Sequence, residues 1–588
     1  MCGFHGVLSN NSDKEYKDHD FASLSHRGPD DNQSISIKNL KINFFRLKIL
    51  GGDLGAQPMY SDSKEWLIVF NGEIYNYKEL AILMEREDLI AHGDTKVLIE
   101  FISMYGLTHF SKVNGMFSIA LYNLKSETLY FIRDRFGIKP LFYQIIEGNI
   151  FFSSEIKSLF KKEISTNEIK NFINTGKYPK NELTFYKNIF EIKPGTITNF
   201  IDGKINEHKY YVLNKNISMQ DARDLNEYEK IIEKAIEIRL RSDVPISIHF
   251  SGGVDSTALL IKVKEVAGWD YPIGVFHLSY SGFEQLDYYF AQKISDKLQI
   301  ELNNVVLSPA EVPKLAKELQ YFQDEPYGGI PSISMYKMNM IEREKGYVVS
   351  LEGQGGDEAL GGYLSHIVLA IKDMIDEKEN HSLAKELCNN IGLSLRDANL
   401  LAEKFITSGF NSHTDLTDNK NNYSEYKITK ILNWLLTVQL FDTLENKIPR
   451  TLRFHDRISA ACSRELRFPF LDYNVMEYGI KLDRNIKYKD GIAKYPFKRI
   501  IHRYLPQELF SEVKRADSTP QTYWLKNDLK YWVDKNLDEL KEKNIVDISY
   551  IEETSNELEF SNLDNSFKVW QLINLNLIDI KKKEVFSI

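Results

Sequence analysis

Cysteine is scarce: Cys2, Cys388 and Cys462 are the only three in 588 residues, too few and too far apart for a disulfide framework or a metal-ligand spacing. No apolar run reaches the roughly 18 residues needed to cross a bilayer. Basic side chains are outnumbered, 74 Lys and Arg against 83 Asp and Glu, and the net charge of −9 supplies no electropositive footprint for nucleic-acid phosphates. The opening MCGFHGVLSNN has neither the basic segment nor the long apolar stretch of a secretory leader. A cytoplasmic protein with no membrane or nucleic-acid partner is therefore expected.

What is present is globular: 43% hydrophobic and 27% charged residues suffice for proper cores. A single core stops growing near about 250 to 300 residues, so two domains are expected. The first two hundred residues read as short strands, at 66–70, 117–122, 129–133 and 150–153, with helical patterns near 77–85 and 95–105. The pattern becomes turn-rich at 194–203, and the polar, weakly periodic stretch at 211–224 reads as the linker, dividing the chain into units 2–210 and 225–588. After it, strands at 246–250, 273–278, 303–307 and 347–351 alternate with helical segments, the mark of a doubly wound parallel α/β sheet. Beyond Tyr363 the chain reads mostly helical, with a polar loop at 411–425 and a solvated basic run at 581–583.

Cys388 and Cys462 read as small buried hydrophobes; Cys2 has chemistry available to it. Initiator methionine is normally removed before a residue as small as cysteine, and Cys2 then carries both a thiol nucleophile and a free α-amine. An amine with a reference pKa near 8 is able to take the thiol proton without a histidine.

Around Cys2 the sequence holds MCGFHG, HRGPDD at 26–31, FRLKIL with Arg46, GAQPM at 55–59, FNGEIYNY at 70–77, GDT at 93–95 and RDRFGIKPLFY at 133–143. Together these resemble the glutaminase domain of glutamine-dependent asparagine synthetases. The resemblance implies the N-terminal-nucleophile hydrolase fold, an αββα sandwich. Glutamine is a zwitterion, so its carboxylate calls for an arginine and its ammonium for a carboxylate; Arg46 fits the first, Asp94 with Glu73 the second. By the same resemblance the Asn71 side chain and the Gly72 N–H form the oxyanion hole. Asn-Gly is equally at home in a tight turn.

SGGVDS at 251–256 follows an apolar strand and precedes a helical segment, exposing backbone N–H groups where a pyrophosphate can bind. The Walker pattern is absent, and the segment resembles instead the PP-loop of enzymes that cut ATP to AMP and pyrophosphate. LEGQGGDEALGGY at 351–363 follows a second apolar strand. Asp255 and Asp357 are the expected ligands of Mg2+, which takes few protein carboxylates. The resemblance assigns the pyrophosphate to Lys494, with Lys498 assisting, and the adenosine to Phe250, Leu278, Glu352 and Gly353; Ser251, Gly252, Gly253 and Ser256 complete the ATP loop. A third similar block, 456–478, places Asp456, Arg457, Glu465, Arg467 and Asp472 among apolar residues, where paired burial is expected.

The implied reaction adenylates a carboxylate with ATP and displaces AMP with glutamine-derived ammonia, across a tight interface between the domains. Aspartate is the family's default acceptor. Two departures bear on it: Gln354 stands where the family usually has a carboxylate, and DEPYGGIPSIS at 324–334 lacks an expected arginine. A different carboxylate, such as a uronic acid of a surface polysaccharide, is the first alternative; a non-synthetic glutaminase or a degenerate binding protein is the more distant one, which the retention of Cys2, Arg46, Asn71, Asp94, Asp255, Asp357 and Lys494 argues against. The partners expected are small molecules, and a homodimer is left open.

Overall fold

The computed structural model describes residues 1–9, 21–160, 162–180, 182–201, 204–213, 222–283, 287–409, 430–509, 519–543, 545–560 and 564–578. The polar loop at 411–425, most of the linker and the basic run at 581–583 fall outside them.

The first half contributes twelve strands: β1 (Gly3–Leu8), β2 (Asp31–Ile37), β3 (Leu40–Arg46), β4 (Met59–Tyr60), β5 (Trp66–Ile74), β6 (Gly115–Asn123), β7 (Thr128–Arg133), β8 (Phe142–Ile146), β9 (Asn149–Ser153), β10 (Phe190–Glu191), β11 (Thr196–Ile201) and β12 (Lys204–Lys209). They form two antiparallel six-stranded sheets, ordered β10-β8-β9-β1-β3-β2 and β12-β11-β7-β6-β5-β4. The apolar run of β5 shows why they stack. Side chains alternate along a strand, so Leu67 and Val69 meet Phe4, Ile42 and Phe44 of the first sheet, while Ile68 and Phe70 meet Val97, Leu98 and Phe101 on the helix Asp94–Tyr105. Both faces of that sheet are buried, which is the expected sandwich.

In the second half β13 (Ile246–His249), β14 (Gly274–Tyr280), β15 (Leu302–Leu307), β16 (Val349–Leu351) and β17 (Glu465–Arg467) build a parallel sheet ordered β15-β14-β13-β16-β17. The order reverses between β13 and β16. In open α/β sheets, ligands bind outside the carboxyl ends at such a switch point. The strand β17 interrupts a region that reads as helical. Its three residues, Glu-Leu-Arg, carry no alternation; edge pairing to β16 and the buried Arg467–Glu465 ion pair at 2.8 Å hold it.

One core passes between the halves without a break. Leu47, Ile49, Tyr75 and Met116 from the first pack with Ile232, Ile248, Leu351 and Leu471 from the second. Ile164, Phe172 and Phe185 likewise join Trp570 and Leu572 of the C-terminal helices, so the segment near 164–185 serves both halves. Cys388 is buried, whereas Cys462 keeps partial exposure. No helix among the described residues is long and apolar enough to cross a membrane.

Candidate active sites

Cys2 stands immediately before β1. The β1–β3 register pairs Gly3 with Phe45, so its next step sets Cys2 opposite Arg46. Arg46 is 4% exposed, and its Nη1 has no hydrogen-bond partner among the described residues. A buried guanidinium is rarely left so, and beside Cys2 it offers itself to a carboxylate. Cys2 Sγ lies 3.8 Å from the Leu47 carbonyl, and burial pushes its thiol pKa up.

Asn71, Gly72 and Glu73 sit inside β5, paired with Ser118, Phe117 and Met116, and not in a turn. Gly72 has φ 141°, and a Cβ on it would lie 1.9 Å from the Met116 carbonyl oxygen, so close approach of β6 demands glycine there. With its amide oriented to satisfy both neighbours, Asn71 donates to the Cys2 carbonyl at 2.9 Å and accepts from Arg27 Nη2 at 3.1 Å. Arg27 also donates from Nε to the Cys2 carbonyl at 2.9 Å, from Nη1 to Glu155 at 2.6 Å and from Nη2 to Asp456 at 2.9 Å. HRGPDD was legible as a motif, but the reach of Arg27 across the halves was not.

Asp94 opens its helix and accepts from the Ile74 N–H at 2.9 Å; burial raises its pKa to about 6. Glu73 is 5% exposed, burial and then Asp94 push its pKa well up, and its Oε2 has no partner among the described residues. Two acids competing in a dry pocket are ready for an ammonium. Met1 is buried with its sulfur against Lys139, and burial lowers its amine to about 5. With Met1 attached, the Cys2 nitrogen is a peptide nitrogen and cannot act as a base.

At the switch point, Ser251 Oγ and Ser256 Oγ lie 3.1 Å apart, and the Gly253 N–H donates to Ser251 Oγ at 3.3 Å, shaping a turn from β13 into the helix Val254–Ala267. Across the sheet, Gly356 and Asp357 begin the helix Gly356–Leu360, and Lys494 caps the helix Tyr495–Ile501. Lys494 Nζ lies 2.5 Å from Asp255 Oδ2 and 2.6 Å from Asp357 Oδ1. Gly362 makes room for it: a Cβ there would sit 1.9 Å from Lys494 Cε and 2.1 Å from Asp357 Oδ1. Two carboxylates that share one ammonium are close enough to share a divalent ion, so the residues fit Mg2+. Lys498 is buried on the same helix. Burial and then Asp357 raise Glu358 to about 7, and Tyr363 donates to it at 2.9 Å.

The residues expected near adenosine lie around this loop in different ways. Gly353 packs on the PP-loop, where an added Cβ would be 3.2 Å from Asp255 Cβ. Leu278 is partly exposed, whereas the Phe250 side chain is 1% exposed in the core. The Glu352 carboxylate turns into a buried group with His249, at 2.5 Å, and His455, at 2.9 Å. Neither histidine was singled out by the sequence. Asp456, Arg457, Glu465, Arg467 and Asp472 are buried and ion-paired, with Arg27, Glu325, each other and Arg239 respectively.

A sandwich of antiparallel sheets carrying a second-position cysteine, fused to a parallel sheet with a PP-loop, defines a glutamine amidotransferase joined to an ATP-dependent ligase. Residues 1–211 match the glutamine amidotransferase domain family, and residues 227–579 match asparagine synthase. The chain belongs to the asparagine synthase family. It is 27% identical to asparagine synthetase [glutamine-hydrolyzing] 1 of Bacillus subtilis over 97% of this chain and 95% of that one. It is 29% identical to a putative asparagine synthetase [glutamine-hydrolyzing] 2 of Methanocaldococcus jannaschii, over 62% of this chain and 76% of that one. It is also 22% identical to amidase chyE of Penicillium rubens, over 86% and 85% of the two chains.

Proposed function

We propose that this chain moves the side-chain nitrogen of glutamine onto a carboxylate that it activates with ATP. Arg46 holds the glutamine carboxylate, and Asp94 with Glu73 holds its ammonium. Once Met1 is removed, the Cys2 amine takes the thiol proton and Sγ attacks the side-chain amide, with Asn71 and the Gly72 N–H facing the oxyanion. Collapse of the tetrahedral adduct forms the thioester and expels the nitrogen, which leaves as ammonia with the proton that the Cys2 amine took; water then frees glutamate from the thioester, and the unbroken core between the halves supports exclusion of bulk water from the path of the ammonia and from the adenylate.

At the other site the ATP phosphates lie on the Ser251, Gly252, Gly253 and Ser256 loop, and the acceptor carboxylate attacks the α-phosphorus. Lys494 balances the departing pyrophosphate. Mg2+ held by Asp255 and Asp357 would neutralise phosphate charge. The meeting of Lys494, Asp255 and Asp357 at the switch point of the sheet is the observation that carries this reading.

Aspartate is the first acceptor to test. A second reading, a different carboxylate such as a uronic acid, is favoured by the loop at 324–334. Its own acids are already paired, Asp324 with Lys157 at 3.3 Å and Glu325 with Arg453 at 2.9 Å, and it brings no arginine of its own for an α-carboxylate. The deciding experiment supplies glutamine, ATP and Mg2+ with aspartate or with uronic acids and measures pyrophosphate and amide. Aspartate turnover at a low KM selects the first reading, turnover with uronic acids alone selects the second, and no ATP cleavage with any acceptor overturns both.

A further inference from the structure

A line of alternating charge runs through the carboxyl end of the parallel sheet. Arg464 pairs with Glu342; His249 Nε2 meets Glu342 at 2.8 Å and its Nδ1 meets Glu352 Oε1 at 2.5 Å; Glu352 Oε2 meets His455 Nδ1 at 2.9 Å. Burial works against charge on His249, but Glu342 and Glu352 outweigh it and raise its pKa to about 9, so at neutral pH both ring nitrogens donate. Burial likewise pushes Glu352 up, and His455 with His249 outweighs it, holding the carboxyl well below its usual range. Glu352 is therefore an acceptor only.

This fixes the tautomer of His455. Its Nδ1 must carry the proton that Glu352 accepts, which leaves the lone pair on Nε2 when the ring is neutral. Nε2 has no hydrogen-bond partner among the described residues, and the side chain is 14% exposed. The same arrangement, carboxylate to Nδ1–H with a bare Nε2, is how a histidine is readied as a general base.

The place matches the task. Glu352 follows β16 and Phe468, whose ring lies 6.3 Å from that of His455, follows β17, so His455 overlies the strand ends. Gly353, next to Glu352, packs on Asp255 of the PP-loop. On the same helix, Lys447–Ala461, the following residue Asp456 holds Arg27 beneath Cys2, so consecutive residues reach toward the two reaction centres. Of the other charges nearby, Arg453 and Arg457 are tied to Glu325, and Arg464 to Glu342. Gln354, two residues beyond Glu352, has an amide that cannot take a proton.

We propose that His455, oriented by Glu352, is the base that removes the proton from ammonia as it displaces AMP; this rests on the adenylation reading above. The nitrogen lone pair forms the C–N bond, the bond from the acyl carbon to the phosphate oxygen breaks with its electrons leaving on AMP, and one N–H proton passes to His455 Nε2. Water takes that proton when the products leave.

The test compares the wild type with His455→Gln and His455→Asn in three assays: glutamine hydrolysis, the single-turnover pyrophosphate burst with ATP and acceptor but no nitrogen donor, and amide formation from ammonium. We expect hydrolysis and the burst within about threefold of wild type and amide formation lower by about 10²- to 10³-fold. Imidazole added to His455→Gly should restore part of the loss. Amide formation kept within a few-fold, or a burst lost in proportion to it, overturns the role. A wild type that gives no burst with aspartate or any uronic acid overturns the adenylation reading and this proposal together.

Discussion

Arg27 Nη2 donates to Asp456 Oδ2 at 2.9 Å, with the two side chains 0% and 2% exposed, and so ties the surroundings of Cys2 to the second half through a dry ion pair. Removing Asp456 leaves Arg27 with Glu155, at 2.6 Å, as its remaining carboxylate, so the cost is part of the about 3 to 5 kcal/mol that a wholly unpaired buried charge carries. Arg27 also holds the Cys2 carbonyl and Asn71. Asp456→Ala should therefore lower the urea midpoint of unfolding and reduce glutamine hydrolysis at least about tenfold, although Asp456 is no part of the glutamine pocket. Unchanged hydrolysis would show that the pair does not position Cys2.

Gly362 gives a sharper probe of the proposed ATP site, because its neighbour is Lys494 and not generic core. The methyl group of Gly362→Ala would overlap Lys494 Cε, at 1.9 Å, and push the ammonium off Asp255 and Asp357. A displacement of about 1 Å at such a centre costs on the order of 10²-fold in rate. Acceptor-dependent pyrophosphate release should fall by that factor while glutamine hydrolysis stays near wild type. Equal loss of both would mean that the fold, and not the site, was damaged.

The proposed contact of Asp94 with the glutamine ammonium would make glutamine binding sensitive to pH. Its pKa rises from 3.8 to about 6 because burial penalises the charge, a penalty of about 3 kcal/mol at roughly 1.4 kcal/mol per pH unit. The sign is that of a raised carboxyl: folding is favoured by the neutral form, and this contribution is lost as pH climbs from 3.8 through about 6. In the proposed pocket the ammonium of glutamine needs the ionised form, so binding should weaken about tenfold per pH unit below about 6. Calorimetry with glutamine and the Cys2→Ala protein, which binds without turnover, reads this directly, and Asp94→Asn should flatten the profile. A dissociation constant constant from pH 5 to 8 would remove Asp94 from the pocket.

The sequence made legible those features whose signal is local. The runs around Phe70, Ile248 and Leu351 announced strands because buried strands are apolar on both faces, and the turn after β13 announced itself by its glycines. What escaped is what only folding brings together. Glu-Leu-Arg at β17 has no alternation and is held by an ion pair and one neighbouring strand. Arg27 meets Asp456 across 429 positions, and His249 meets Glu352 across 103, distances over which no spacing rule operates. Asn71-Gly72 suits a turn by composition, and a long-range cause, the carbonyl of Met116 against Gly72, keeps it in a strand. A single histidine such as His455 carries no motif; its orientation depends on a carboxylate that belongs to another strand's end.

Cys2→Ala separates the two chemistries. The thiol is the only part of the proposed glutamine pocket that it removes: Arg46, Asp94, Glu73 and the Asn71–Gly72 strand are untouched, and alanine is small enough for Met1 still to be removed. Hydrolysis of glutamine should drop below detection, since no other thiol is near; Cys388 and Cys462 belong to the second half, and burial raises the pKa of each. Amide formation from ammonium should persist within about threefold, because Lys494, Asp255 and Asp357 owe nothing to the thiol. Added glutamine should bind without reacting, and any change it causes in the ammonium-dependent rate then measures coupling along the path from Arg27 to the helix Lys447–Ala461. Loss of both activities would contradict two separable sites, and retention of glutamine hydrolysis would displace Cys2 as the nucleophile.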